Sequence, residues 1–496
     1  MTMSFVKKIK TKSATYAIEV QGYRDKDGKV KHKYLRYLGK FDENGNLIPS
    51  MKIENTEVEK VKLHGPVRAL HSITKDIGLE DIIGKYAPEI LTLVYSHILR
   101  PESLNNIKRA IQWIDTDEIK LRLPVSRKRL EKAMDLLEKE IQAIERKLYP
   151  KISEHCSLDS IFYDITGVYF RGKNVKMAKR GHGSDLPRIG IGLATESQYG
   201  LPLFHHIFDG NVYDSKTFPV ILARLQEFAQ KKCTLIYDRG VASKKKNFLD
   251  AVESGFSVIA CIPLKGKELK QIALREMQKM TPEDTCELSS VFVHAREIKR
   301  EWADLPVRMI ICQDKSLRQQ IQQNRYYELK EALEKLEKGV KIKKGLRKYI
   351  KKVNGTPQID YKAVEESETF DGVYIVITNT DYPKEKVIKK YFDKDIIEKS
   401  FESLKSTLSI QPVRHWLLRR VKAHVFICYL GYLHLSWMGM LLEKGGISMS
   451  PAKALQELET IYSIKLTDKK THMSTERTVP LTEKQEAIYK ALNLLS

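Results

Sequence analysis

The amino-acid sequence predicts an α/β protein built around a mixed sheet, and three observations lead to this class. Short runs in which apolar and polar residues alternate begin at residue 158, and such alternation is typical of strands. Apolar residues at spacings of three and four lie before and between these runs and indicate helices. The chain of 496 residues also carries enough apolar side chains for at least one large core, distributed over roughly two to four structural units.

The N-terminal part predicts two small regions. Residues 1–65 form a basic β-rich unit, because residues 5–40 alternate on both sides of the turn signal Lys26-Asp27-Gly28, as in a hairpin or a three-stranded sheet. Its lysines fit either a DNA-contact surface or a solvated sheet edge that blocks unwanted strand pairing. Residues 66–150 are predicted to be helical and are a second candidate for DNA binding, with the clearest apolar stripe over residues 126–148.

The central layer is predicted over residues 151–264 and 371–445. Three strand-like runs joined by short turns indicate an antiparallel meander. Two further runs, TLIYD and FSVIACI, follow predicted helices and should therefore run parallel to the first strand. The resulting order, βββαβαβ and later a helix over residues 383–408, is that of a ribonuclease-H-like core.

Three other segments complete the predicted architecture. Residues 265–370 interrupt the core as an insertion, in which residues 325–352 predict a strongly basic helix that faces either solvent or DNA. The apolar run over residues 425–442 contains His434 and Ser436 and predicts a buried core helix rather than a membrane span. Residues 446–496 are predicted as a C-terminal helical segment.

The charge balance indicates a polyanionic partner. Lys and Arg number 86 against 63 for Asp and Glu, which gives a net charge of +23. Nucleic acid is the leading candidate, and a merely soluble basic protein is the alternative. The six cysteines show no CxxC or His-rich pairing, so neither a zinc site nor a disulfide framework is indicated. That pattern, and an N-terminus with no apolar run behind its lysines, predict a cytosolic protein.

Two aspartates stand out against the strands that carry them. Asp164 lies inside the aromatic and β-branched run FYDITGV, where an ionised carboxylate is costly to bury without a partner. Asp238 ends the strand LIYD, at the carboxyl edge where parallel α/β sheets bind ligands. Either residue alone would more simply be a turn or cap residue. As a pair on neighbouring strands, their carboxylates would converge on one site.

The third candidate is Glu398, on the helix predicted over residues 383–408. At 100° per residue, Lys394, Glu398, Glu402 and Lys405 form a polar stripe with Tyr391, and Glu398 stands at the edge of the buried face. The alternative is an ordinary surface helix with a Lys394/Glu398 ion pair. Three such carboxylates suit two Mg²⁺ ions, for which Mn²⁺ can substitute, and these ions can activate a nucleophile and neutralise a leaving oxygen in phosphodiester chemistry.

With these residues the chain resembles the DDE transposases of bacterial insertion sequences, of the insertion-sequence-four type with the signature Tyr-x2-Arg-x3-Glu-x6-Lys. Tyr391, Lys394, Glu398 and Lys405 occupy that signature, with Lys394 in place of Arg. The substitution keeps the charge and loses bidentate phosphate geometry. The resemblance extends over residues 155–440, through YDITGVYF, GLPLFHHIFDGNVYDSKTF, LIYDRG and RHWLLRRVKAHVFICYLGYL.

The resemblance implies a function as well as a fold. It implies that Asp164, Asp238 and Glu398 are the catalytic and metal-binding residues, and that Tyr391, Lys394 and Lys405 contact DNA. The implied partners are double-stranded DNA, as terminal inverted repeats and target, and a second copy of the chain in a synaptic complex. The resemblance implies no membrane partner, and the implied location is the bacterial cytoplasm, with the nucleoid when DNA is bound. Family members usually bind DNA ends through the N-terminal region.

Two other functions remain open at this point. One is a transposase-derived DNA-binding protein that no longer transposes, and the other is a metal-dependent nuclease that cuts without joining. An intact set of three carboxylates favours an active enzyme, but cutting and joining use the same site. Inverted repeats and short direct duplications around the coding sequence would distinguish transposition from both.

Overall fold

The computed structural model describes residues 4–495, apart from residues 13, 43–44, 51–52, 102–106, 108–110, 113, 116, 120–125, 171–174, 181–185, 229–232, 289–290, 354, 414 and 471. The chain divides into two compact units. Unit 1 combines Met1–Ala133 with Trp437–Ser496, and unit 2 is Met134–Ser436.

The strands of the described residues are numbered in chain order. They are β1 (Ser4–Lys10), β2 (Thr15–Arg24), β3 (Val30–Phe41), β4 (Leu47–Pro49), β5 (Thr56–Leu63), β6 (Ser160–Tyr169), β7 (Lys179–Arg180), β8 (Pro187–Glu196), β9 (Pro202–Asp209), β10 (Thr234–Tyr237), β11 (Ser257–Ile262), β12 (Thr285–Leu288), β13 (Val291–Trp302), β14 (Leu305–Asp314), β15 (Ile350–Val353), β16 (Thr356–Ile359), β17 (Val373–Thr378), β18 (Tyr462–Asp468) and β19 (Ser474–Thr478).

The α-helices of the same residues are numbered likewise. They are α1 (Gly65–Ile77), α2 (Leu79–Ile83), α3 (Ala87–Leu99), α4 (Arg127–Ser153), α5 (Asp214–Phe228), α6 (Arg239–Ala242), α7 (Lys245–Glu253), α8 (Lys267–Met277), α9 (Lys315–Glu337), α10 (Tyr361–Glu368), α11 (Lys384–Phe392), α12 (Asp395–Lys405), α13 (Leu418–Lys444), α14 (Pro451–Leu458) and α15 (Glu483–Ala491).

Unit 1 contains two small antiparallel sheets. The N-terminal sheet has the order β1-β2-β3-β4, so it contains more strands than either predicted form, a hairpin or a three-stranded unit. The second sheet has the order β19-β18-β5, so strands from the two ends of the chain pair with each other. The purely helical prediction for residues 446–496 is therefore wrong, since two strands lie between α14 and α15. The run YSIKLTD alternates apolar and polar residues, which favours a strand.

The central sheet lies in unit 2 and has the order β12-β13-β14-β17-β11-β10-β6-β8-β7, with β9 paired to β8. Strands β6, β8 and β9 form the predicted antiparallel meander. Strand β10 runs parallel to β6, and β11 runs parallel to β10, also as predicted. This mixed sheet with helices between its strands agrees with the predicted α/β class.

The predicted insertion contributes to the central sheet. Strand β14, from residues 265–370, pairs antiparallel with β17 and is extended by β13 and β12. Strands from this region therefore continue the sheet beyond β17, a pairing that the local sequence pattern did not reveal.

The long basic helix predicted over residues 325–352 is wrong in its bounds. Helix α9 begins earlier and ends at Glu337, and β15 occupies the end of the predicted span. Gly339 has a φ of 71°, and its N–H and that of Val340 bond to the carbonyls of Leu336 and Lys335. A left-handed glycine with these two bonds terminates a helix, which explains why α9 stops.

The long apolar run forms part of α13. Among the described residues this helix alone is long and apolar enough to cross a membrane by length and composition, yet most of its apolar stretch is buried within the protein. In unit 2, the Tyr429 hydroxyl donates to the Pro202 carbonyl at 2.9 Å and the Tyr432 hydroxyl donates to the Gly200 carbonyl at 2.8 Å. These contacts fit the predicted core helix.

A buried ionic network joins α4 to the central sheet and to α5. The fully buried Glu145 carboxylate lies 2.8 Å from His205 Nδ1 on β9 and 2.7 Å from Arg224 Nη2 on α5. Burial alone would raise the pKa of Glu145, but His205 and Arg224 hold it below its ordinary value. The network therefore depends on an ionised carboxylate in the core.

We expect Glu145→Gln to lower the free energy of unfolding by about 3 to 5 kcal/mol, because it leaves the Arg224 charge buried without its partner. The matched control is Glu227→Gln, which removes an exposed ion pair between the same two helices, Arg146 to Glu227 at 3.4 Å. Exposed pairs contribute about 0 to 1 kcal/mol. Urea unfolding of the two variants measures the difference, and equal effects would show that the network does not stabilise the fold.

Candidate active site

Two aspartates lie side by side where adjacent parallel strands meet. Tyr237, the last residue of β10, is opposite Tyr163 on β6. Asp238 directly follows Tyr237, and Asp164 directly follows Tyr163, so the two aspartates are also neighbours. Neighbouring strands are about 4.8 Å apart, which brings the two carboxylates into one site. The predicted adjacency of these two strands is confirmed.

The preceding tyrosines explain why the aspartates share a face. Tyr163 and Tyr237 are almost fully buried, with ring centroids 6.2 Å and 4.9 Å from that of Phe218 on α5. Successive residues of a strand point to opposite faces. Packing both tyrosines against α5 therefore directs Asp164 and Asp238 to the other face of the sheet.

Asp238 is held in an ionised state by its neighbours. The Tyr391 hydroxyl donates to its Oδ1 at 2.8 Å, and Lys394 Nζ lies 3.4 Å from its Oδ2. Burial alone would raise the pKa of Asp238. Lys394, the Arg239 backbone N–H and the Tyr391 hydroxyl more than offset burial, so the pKa lies below its ordinary value.

Asp164 has the opposite electrostatic character. Burial raises the pKa of Asp164 to about 6, although the Ile165 N–H donates to its Oδ1 at 2.8 Å and Lys394 also favours the charged form. The nearby charges of Asp238 and Glu398 raise the pKa further. A cation bound here in addition to the Lys394 ammonium would lower the pKa of Asp164, because it would offset the negative charges of Asp238 and Glu398.

Glu398 joins this cluster through a shared lysine. Lys394 Nζ lies 2.9 Å from Glu398 Oε1 and 3.4 Å from Asp238 Oδ2, so the two oxygens are separated by no more than the sum of these distances, about 6 Å. Burial lowers the pKa of Lys394, but Asp238, Glu398 and Asp164 more than offset burial and raise it. The lysine ammonium therefore remains charged among the three carboxylates.

Lys405 and Glu402 occupy the rest of the predicted stripe. Lys405 is half-buried; burial lowers its pKa, and the charge of Asp164 opposes that shift, which places the ammonium in the field of this carboxylate. Glu402 lies one turn beyond Glu398 and is exposed like it. Of the two glutamates, Glu398 is the one that contacts Lys394.

Tyr391 is buried and directed at Asp238. Its side chain is 7% exposed, and its hydroxyl donates to the carboxylate. The predicted DNA contact of Tyr391 stays a prediction, while its placement shows that the ring also orients Asp238.

The single helix predicted over residues 383–408 is wrong, because two helices cover the segment. Helix α11 ends at Phe392 and α12 begins at Asp395. Between them the N–H groups of Lys394 and Ile396 bond to carbonyls three residues earlier, which is a tight turn rather than an α-helical repeat. Tyr391 therefore lies on α11 and Glu398 on α12.

Sequence reasoning missed a basic cleft beside Asp238. It is a cavity of about 730 Å³, lined by four basic residues, two acidic residues and Tyr213, namely Arg188, Arg239, Lys265, Lys270, Asp214, Asp371 and Tyr213. Tyr213 is 54% exposed there. Two signals were present in the sequence, since Arg239 directly follows Asp238 and Tyr213 lies in the stretch GNVYDSKTF. The lysines come from a distant part of the chain and carry no local pattern.

The chain is thus an α/β protein in which two aspartates on adjacent parallel strands and a glutamate on a helix lie near the ammonium of Lys394. The family model described as “Transposase DDE domain” matches residues 159–433, more than half of the chain. The chain belongs to this family of transposases. Domains of this family generally use divalent metal ions.

Other comparisons add little. No curated protein matches the chain. Among the solved structures that match is a piggyBac transposase synaptic complex with hairpin DNA, determined by cryo-electron microscopy, at 11% sequence identity and a TM-score of 0.35. The match covers 80% of this chain and 70% of that one.

Proposed function

We propose that the chain is a DNA transposase of the insertion-sequence-four type, which binds the ends of its own transposon and both cuts and joins DNA strands. One observation carries the proposal: Asp164 and Asp238 are adjacent on parallel strands, and Lys394 links Asp238 to Glu398. The family membership supports it independently. We propose Asp164, Asp238 and Glu398 as the catalytic and metal-binding residues.

The residues fit a divalent cation. All three offer carboxylate oxygens, the ligands that Mg²⁺ and Mn²⁺ prefer. Lys394 supports this fit, because its ammonium contacts Asp238 and Glu398, and the charges of all three carboxylates raise its pKa. Two Mg²⁺ ions bound there would make an oxygen nucleophile available at neutral pH and relieve charge on the leaving oxygen.

The remaining residues of the site hold the carboxylates and the DNA. Tyr391 fixes the orientation of Asp238 through its hydrogen bond. Lys405, beside Asp164, is placed to bind a phosphate next to the scissile bond. Arg239, Lys265 and Lys270 in the basic cleft provide further phosphate contacts along a strand that leaves the site. In this proposal Lys394 moves from the carboxylates to a phosphate when the metal ions bind.

We expect Lys405→Ala to weaken DNA binding and to make the dependence of log affinity on log salt shallower by about one unit, because one phosphate contact is lost. Lys399→Ala is the matched control on the same helix, since Lys399 is exposed. Fluorescence anisotropy over a series of salt concentrations measures both slopes. An unchanged slope for Lys405→Ala would remove this lysine from the phosphate contacts.

The proposed function is tested with a plasmid that carries the DNA flanking the coding sequence on both sides. The purified chain should cut this plasmid at the outer ends of the inverted repeats in Mg²⁺, join the released fragment to a target plasmid, and do neither in EDTA. Cutting without joining would identify a nuclease. Binding without cutting would identify a DNA-binding protein that has lost catalysis. We further propose that two copies act in one synaptic complex, in the bacterial cytoplasm and at the nucleoid.

A further inference from the structure

The N-terminal sheet exposes most of its large apolar side chains. Among its described residues the buried apolar ones are Ala17, Val20 and Leu38. A small sheet without an apolar face to bury is marginally stable in water, and contiguous exposed apolar surface marks an interaction site. The apolar side chains of β1–β3 that are more than a third exposed are Phe5, Val6, Ile9, Tyr23, Val30, Tyr34, Leu35 and Tyr37.

Strand register places most of these side chains on one face. Phe5 and Tyr34 both pair with Val20, and Tyr37 pairs with Ile18, so all three project to the same side of the sheet. Ring contacts agree, because Phe5 meets His32 at 5.1 Å between centroids. We name the side formed by Phe5, Ile9, Val30, His32, Tyr34 and Tyr37 the aromatic face.

The opposite face differs in its chemistry. Glu19 lies there and bonds to Arg36 at 2.6 Å and to Ser4 at 2.7 Å. Tyr23 is also on this side, because it lies four residues after Glu19 on β2 and alternate residues of a strand share a face. The strand residues on the aromatic face, by contrast, include no acidic residue.

The charge of the sheet favours a polyanion as the occupant. Residues 4–41 contain nine lysines and two arginines against three acidic residues. Two of those acids are already paired, Glu19 with Arg36 and Asp25 with Lys31. The same positive charge on a second copy of the sheet would repel this one, so self-association through this face is disfavoured.

We propose that the aromatic face binds the major groove of duplex DNA at the transposon ends, an inference that rests on the proposed function. The groove is about 12 Å wide and admits two adjacent strands, here β2 and β3, and the ten residues of β2 span about 33 Å along it. Apolar side chains can contact thymine methyl groups, and the Tyr34 hydroxyl and His32 ring nitrogens can bond to base edges. Lys7 and Lys40 on the same face are placed to reach phosphates.

The test compares two tyrosines on opposite faces of the sheet. Tyr34 is 58% exposed on the aromatic face, and Tyr23 is 47% exposed on the other. Fluorescence anisotropy uses 30-base-pair duplexes (a length of about three helical turns) taken from the DNA flanking the coding sequence, and scrambled duplexes of equal composition. We expect Tyr34→Ala to weaken binding to the flanking duplex at least about ten-fold and to leave binding to the scrambled duplex within about two-fold. Tyr23→Ala should change neither by more than about two-fold.

Several results would overturn the proposal. The proposal fails if Tyr34→Ala binds the flanking duplex as tightly as the wild type does. It also fails if Tyr34→Ala and Tyr23→Ala lose equal affinity for that duplex. Methylation of guanine N7, a major-groove atom, should block binding, and binding that persists contradicts the groove assignment. Sedimentation velocity without DNA tests whether a second copy of the chain covers the aromatic face instead. The proposal is overturned if the wild type is a dimer, Tyr34→Ala is a monomer and both bind DNA with equal affinity.

Failure of this inference can be distinguished from failure of the proposed function. Thermal unfolding and circular dichroism first establish that Tyr34→Ala is folded. Tyr34→Ala should raise the DNA concentration needed for half-maximal cleavage by the same factor as it weakens binding, because Tyr34 acts in binding and lies outside unit 2 and its carboxylates. If the wild type does not cleave DNA but Tyr34→Ala still loses sequence-specific binding, the proposed function fails. The assignment of DNA binding to the sheet then stands.

Discussion

Asp238→Asn should abolish strand cleavage in Mg²⁺ while leaving DNA affinity nearly unchanged. The substitution keeps the shape of the side chain and removes the charge that Tyr391 and Lys394 hold in its ionised form. A lost ligand removes several kcal/mol of transition-state stabilisation, so the cleavage rate should fall at least about a thousand-fold. Affinity should persist because most of it comes from phosphate contacts elsewhere. Asp164→Ala should give the same two results.

Asp209→Asn is the matched control for these aspartates. Asp209 also ends a strand of the central sheet, but it pairs with Lys179 rather than with the carboxylate cluster. Its cleavage rate should stay within about three-fold of the wild type, as for a surface ion pair. Full cleavage by Asp238→Asn, with Asp209→Asn equally active, would remove Asp238 from the catalytic set.

The second large effect concerns Glu398 and its neighbour on α12. Glu398→Gln should lower cleavage by about a hundred-fold or more, since it removes the third anionic oxygen ligand. Glu402→Gln, one turn further and equally conservative, should lower cleavage by less than about five-fold. The contact of Glu398 with Lys394, which also reaches Asp238, is the structural basis for choosing between them.

Single-turnover cleavage with excess enzyme measures both glutamate variants. DNA affinity measured in parallel separates a lost ligand from lost binding. A larger defect for Glu402→Gln than for Glu398→Gln would show that the helix presents the other glutamate to the metal ions, even if the family assignment is right.

The position of the two aspartates was predictable from the sequence because strand patterns are local. FYDITGV and LIYD each show a buried strand with one acidic residue at a position that the apolar pattern does not explain. Parallel pairing then follows from the helix between the two strands. The structure confirms this pairing, with Tyr163 opposite Tyr237.

The geometry around Glu398 was not predictable in the same way. No glycine or proline marks the turn at residues 393–394, so the apolar period suggested one continuous helix. The position of Lys394 between two carboxylates depends on this turn and on tertiary contacts with Asp238. That a lysine stands at position 394, where the signature has arginine, does not indicate that this side chain contacts Asp238.

Pairings between distant segments were also hidden from the sequence. Strand β5 near the N-terminus pairs with β18 near the C-terminus, and β14 joins β17 across most of the predicted insertion. A local pattern can indicate a strand but cannot name its partner. The short strands β18 and β19 lie beside helix-like runs and were therefore predicted as part of a helical segment.

The most direct measurement is the anomalous scattering of Mn²⁺ in crystals of the chain bound to DNA ends. We expect Mn²⁺ within about 2.2 Å of carboxylate oxygens of Asp164, Asp238 and Glu398, with the Lys394 ammonium displaced toward a phosphate. Mn²⁺ bound elsewhere, with Lys394 still between Asp238 and Glu398, would contradict this expectation.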